Sequence, residues 1–148
     1  MSFFDDADNE DFDAEDENNR IENLPVYKKA ENLLELTQTI CDVIDGEKDV
    51  LHMREMMLGN AMTIPAKIAG AEGGDLYSIR FDNATLIKLS ARELLAQTSV
   101  LRREKLIEEK YIDMFRKEIE EFRILFLEWA KSFDKTNDIS DEWDIKNL

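Results

Sequence analysis

Cysteine and histidine are almost missing from this chain: Cys41 and His52 are the single copies of each in 148 residues. A lone cysteine cannot close an intramolecular disulfide, and a lone histidine cannot build a histidine-rich metal site. No apolar run approaches the roughly 18 residues that a membrane-spanning helix needs. The N-terminus, Met1-Ser2-Phe3-Phe4-Asp5-Asp6, is acidic where a secretory signal is basic. The expectation is a cytoplasmic protein without a cofactor, long enough to bury one domain's core and stabilised by packing alone.

Positive charge is scarce too. Lys and Arg number 19 against 34 Asp and Glu, a net charge of −15. Residues 1–23 hold ten acids against Arg20, residues 24–134 are close to balance at −4, and residues 135–148 carry −2. Most of the acidity therefore sits in the N-terminal segment. Its Asp, Glu and Asn, with few aliphatics, predict a disordered acidic tail. Phe3, Phe4 and Phe12 are spaced along it like the apolar beads of a docking segment, although a solubilising tail is the simpler reading.

From residue 24 the pattern becomes helical. Val26, Ala30, Leu33, Thr37, Ile40 and Ile44 recur at gaps of 4, 3, 4, 3 and 4, an amphipathic stripe that predicts a helix over 25–44. Pro25 suits a first turn, and Gly46 is placed for a left-handed cap. A second helix over 50–71 carries Met53, Met56, Met57, Met62 and Ile68. Pro65 should bend it, with Thr63 near enough to take a freed carbonyl. A third helix over 76–102 puts Tyr77, Phe81, Ala84, Ile87, Ala91, Leu94, Thr98 and Leu101 on one face and leaves Ile79, Leu86, Leu89 and Val100 off it. The fourth, over 107–134, repeats Ile112, Phe115, Ile119, Phe122, Phe126, Trp129 and Phe133 as a heptad seam. Tyr111, Met114 and Leu125 widen that seam beyond what one bundle interior needs. The fold expected is all-α: an up-down four-helix bundle over 24–134, with a frayed C-terminal tail over 135–148.

Chemistry-bearing motifs are weak. Gly70-Ala71-Glu72-Gly73-Gly74-Asp75 lacks the preceding strand and the Gly-Lys-Ser/Thr ending of a phosphate loop and reads as a helix–helix turn. Asp49-x-x-His52 has the spacing of half a di-iron motif but has no second copy; His52 is a surface or helix-start residue. Cys41 has no histidine on its helical face to lower its pKa, and Thr37, Ser90 and Thr98 have no base to activate them. The basic pairs Lys28-Lys29, Arg102-Arg103 and Arg116-Lys117 are interrupted by acids, whereas a nucleic-acid binder needs a basic stripe.

Three motifs carry a family resemblance. Val26-Tyr27-Lys28-Lys29-Ala30, Ile64-Pro65-Ala66-Lys67-Ile68-Ala69 and Ser90-x-x-Glu93-Leu94-x-x-Gln97 resemble the signature positions of four-helix-bundle proteins encoded in ribosomal RNA intervening sequences of bacteria. That family is related to the accessory variability determinant of diversity-generating retroelements. The resemblance spans residues 24–134 and implies a simple bundle assembling as a homopentamer. Gly59-Asn60 stands where the family commonly has a basic pair, and Ala66-Lys67 where it commonly has Ser-Asn. Those departures count against carrying over the family's nucleic-acid role.

The resulting expectation is a non-enzymatic, self-associating bundle that acts as a protein–protein interaction or scaffold module. Tyr111, Met114, Leu125 and Trp129 are its expected contacts, and Trp143 a possible tail anchor. The alternative is a nucleic-acid-associated accessory factor of the retroelement or ribosomal kind.

Overall fold

The computed structural model describes residues 3–145 and Leu148, with side chains described from residue 13 onward. The protein is all-α. Among the described residues five helices run in the order α1 (Phe3–Glu22), α2 (Pro25–Val43), α3 (Met53–Glu72), α4 (Tyr77–Arg103) and α5 (Glu109–Lys131).

Disorder is the expectation over residues 1–23, but Phe3–Glu22 of that segment form helix α1. Composition alone misses the order of its charges: acids fill the body of the segment and its single base, Arg20, falls in the last turn. That arrangement complements the helix dipole, and Glu17 pairs with Arg20 three residues on. The C-terminal end is also anchored, because Ile21 is buried and Arg20 reaches Glu72 of α3. The side chains of Phe3, Phe4 and Phe12, the apolar beads expected of this segment, lie outside the described residues.

The remaining helices follow their stripes. Val26, Ala30, Leu33, Thr37 and Ile40 of α2 are all buried, and the Thr37 hydroxyl is satisfied by donating to the Leu33 carbonyl at 2.7 Å. On α3, Met53 and Met57 are buried while Met56 and Met62 are exposed, as side chains about 100° apart per residue require. The helix is unbroken through Pro65. Thr63 donates to the Gly59 carbonyl at 2.8 Å, so it does not take up the Ala61 carbonyl that Pro65 leaves unpaired.

The caps depart from expectation. No glycine has positive φ; that conformation falls on His52 (φ 56°) and Lys105 (φ 53°). Helix α2 stops at an extended Ile44, without a left-handed Gly46. Exposed His52 precedes α3, and the buried Asp49 carboxylate caps that helix. The Met53 amide donates to Asp49 Oδ1 at 2.8 Å, and the Arg54 amide donates to Oδ2 at 3.1 Å. Burial opposes the charge on Asp49, but these amides and the Arg54 guanidinium outweigh it and hold the carboxyl below its ordinary range.

Lys105 closes α4 in a Schellman turn, with the Leu106 amide on the Leu101 carbonyl at 3.0 Å and the Lys105 amide on the Arg102 carbonyl at 3.2 Å. A lysine holds the left-handed position that glycine fills without steric cost. Lys105→Gly is therefore expected to stabilise the protein by up to about 1 kcal/mol, raising Tm by about 2–4 °C in a thermal melt.

Helix α3 packs most extensively on α4, α2 packs on α3 and α5, and α4 also packs on α5. Bonded pairs fix two of the directions. Arg80 meets Glu72 while Gln97 meets Asn60, and Arg102 meets Glu109 while Thr98 meets Arg116, so α4 runs antiparallel to both α3 and α5. Gly70 marks the close approach of α3 and α4, since a Cβ there would come within 3.1 Å of Asn83 Oδ1. Lys29 of α2 clasps Glu118 and Glu121 of α5. Phe115, Phe122, Leu33, Ile40, Met57 and Ile64 fill the centre.

The C-terminal segment is not frayed throughout. The Tyr77 amide donates to the Asn137 carbonyl at 2.8 Å, and Ser78 donates from its amide (3.0 Å) and its hydroxyl (2.6 Å) to the Asp138 carboxylate. Asp138 thus caps α4, whose own Leu76 offers no capping side chain. Beyond this clamp, Ile139, Trp143 and Ile145 are exposed.

Candidate functional site: a groove between α4 and α5

Where α4 faces α5, it offers the small residues Ala84, Thr85 and Ala91 to the large Phe122 and Phe126. Small side chains opposite a wide aromatic seam leave the interface unfilled. The result is two adjoining hollows, of about 250 and 460 Å³, which share Lys88, Phe126 and Leu127. The floor is apolar, with Leu95 and Leu127 partly open to solvent at 37% and 45% exposure.

The rim is basic. Lys88, Arg92, Arg116, Arg123, Lys131 and Lys135 line the two hollows, and Glu120 is the single acid there among the described residues. In a chain of net charge −15, this concentrates positive potential over one apolar strip. Arg123 pairs with Glu120, and Arg116 donates to Thr98 Oγ1 at 2.9 Å. Lys88 and Arg92 are exposed and make no hydrogen bond or ion pair among the described residues.

A second polar cluster ties α1, α3, α4 and α5 together. The Glu72 carboxylate accepts from Trp129 Nε1 at 2.6 Å, Arg80 at 2.7 Å and Arg20 at 2.9 Å. Arg80 also stacks over the Phe133 ring at 4.4 Å. Burial opposes the charge on Glu72; the Trp129 hydrogen bond and the two arginines outweigh it and keep the carboxyl below its ordinary range.

The residues singled out by sequence do not converge. Tyr111 and Leu125 are half-buried, Met114 is 51% exposed, and Trp143 is 89% exposed. None of these lines the groove. Trp129, an expected contact residue, is 8% exposed, with its indole bonded to Glu72 and its ring edge-on to Phe133 at 4.8 Å, and so packs into the interior of its own chain. The basic rim departs from the expectation of basic pairs interrupted by acids. The signal was nonetheless there, because Lys88 and Arg92 are four apart on α4, and Arg116 and Arg123 are seven apart on α5.

Cys41 is buried and its thiol is pushed up to about 11, first by burial and then by Asp42 and Asp49, which keeps it protonated at neutral pH. Among the described residues no cluster of His, Cys, Asp and Glu is arranged to hold a metal ion. No described helix is long and apolar enough to cross a membrane. No family model matches the chain, and no curated protein is significantly similar to it.

Proposed function

We propose that this chain is a non-enzymatic, cytoplasmic interaction module, in which α2–α5 form an up-down four-helix bundle that self-associates and presents the α4/α5 groove to protein. The observation that carries the reading is an apolar groove rimmed by six cations in an acidic chain. Exposed apolar strips with polar rims mark interaction sites. Exposed Met114, Ile79, Leu86 and Leu89 add apolar surface outside the groove, and the resemblance to pentameric bundle proteins points to self-association independently.

Light scattering across a range of concentrations tests this. The mass is expected to rise to a multiple of 17.3 kDa; a chain that stays monomeric up to hundreds of micromolar overturns self-association. The clustered cations also support a second reading, the nucleic-acid-associated accessory factor. Recovery of the protein from its native cells, followed by nuclease treatment and a salt wash, separates the two. A stoichiometric protein partner supports the module, whereas a defined RNA or DNA lost steeply with salt supports the accessory factor.

A further inference from the structure

The groove's chemistry specifies its occupant: an extended or helical segment rich in acids, carrying apolar side chains, and about as long as the strip. Along α4 the lining runs from Tyr77 to Leu95, a distance of about 27 Å at the helical rise. The N-terminal region of the chain itself supplies such a segment. Helix α1 has 20 residues, about 30 Å of helix, and belongs to an N-terminal stretch with ten acids against Arg20 and phenylalanines at positions 3, 4 and 12.

In its own protomer α1 is not used in this way. Of its described side chains, residues 13–20 are exposed. Its base is fixed by buried Ile21 and by Arg20 on Glu72, and it packs chiefly on α2, which makes its own contacts with α3 and α5 rather than α4. The acidic helix and the basic-rimmed groove are thus separate surfaces of opposite charge within one chain.

We infer that α1 of one copy docks along the α4/α5 groove of a second copy, its acids meeting Lys88, Arg92 and the other rim cations over the apolar floor of Leu95 and Leu127. The inference rests on the self-association proposed above and names the surfaces that perform it. Reciprocal docking closes a two-fold pair, in which each copy gives one helix and receives one; head-to-tail docking builds a ring.

A charge swap in the full-length chain tests the contact. One variant carries Lys88→Glu and Arg92→Glu, at exposed positions that bond no described residue, and the other carries Asp5→Lys, Asp8→Lys and Asp11→Lys. Each alone is expected to associate at least about tenfold more weakly than the native chain at low salt, while an equimolar mixture regains association as hetero-oligomers. If both variants assemble like the native chain, or the mixture fails to recover, α1 docking is overturned while self-association stands. A native chain that is monomeric throughout overturns both. Phe12→p-benzoylphenylalanine supplies a second measurement. Cross-links to α4 or α5 between isotopically heavy and light copies support the exchange; cross-links confined to one chain overturn the second copy as the occupant.

Discussion

Glu72→Ala is expected to cost about 3–5 kcal/mol of stability, the scale of breaking a buried, hydrogen-bonded ion pair. The substitution removes the acceptor shared by Trp129, Arg80 and Arg20. It leaves the Arg80 guanidinium, 15% exposed, without its carboxylate, and the indole N–H without an acceptor. Four helices meet at this carboxylate, so the loss falls on α1, α3, α4 and α5 together. Urea denaturation followed by circular dichroism measures it, with Glu72→Gln expected to lose less because the amide oxygen still accepts from Trp129. A loss below about 0.5 kcal/mol would mean that solvent satisfies these groups as well as Glu72 does. The same site sets an acid limit. Because the folded carboxyls of Glu72 and Asp49 lie below their ordinary values of 4.5 and 3.8, their stabilisation is complete above those values. It is lost as pH falls through the lower folded values. Native stability is therefore expected to drop below about pH 4, and Glu72→Gln to drop less steeply.

Phe122→Ala is expected to cost about 3–5 kcal/mol, the range for emptying a buried aromatic site. Phe122 is 1% exposed, stacks on Phe126 with ring centroids 6.0 Å apart, and forms part of the groove floor. The site lies beside an existing hollow, so a methyl group in place of the ring enlarges a void that neighbouring Ala91 cannot fill. Against a total stability of about 5–15 kcal/mol for a domain, this brings the chain near its threshold at 37 °C. Met114→Ala, at an exposed position on the same helix, is the matched control and is expected to change stability by less than about 0.5 kcal/mol. Equal losses at the two positions would contradict the packing described here.

Periodicity made the interior largely legible. Nearly all the stripe residues of α2 and α5 are buried, and Ile79, Leu86 and Leu89, placed off the main face of α4, are exposed at 44–51%. Phe81 is the exception on α4, at 45% exposure. It lines the groove beside Tyr77 instead of entering the core. Trp129 follows its heptad inward as well, since its register and not its aromatic character sets the direction of its side chain. The caps were less legible: positive φ fell on His52 and Lys105 although glycines were nearby, because the chain path between helices dictated those angles.

The sequence by itself determined the four spans corresponding to α2–α5, most of the residues buried on them, and the concentration of acid in the first 23 residues. These are local properties, written in a repeat of about 3.6 residues and in the order of charges along the chain. Tertiary structure alone decided the Glu72 cluster, the clamp of Asp138 on α4 and the basic-rimmed groove. Each depends on residues distant in sequence: Arg20 and Glu72 are 52 apart, Glu72 and Trp129 are 57 apart, and Ser78 and Asp138 are 60 apart. The groove exists because Ala84 and Ala91 on one helix come to face Phe122 and Phe126 on another, a mismatch in side-chain volume that neither helix carries alone.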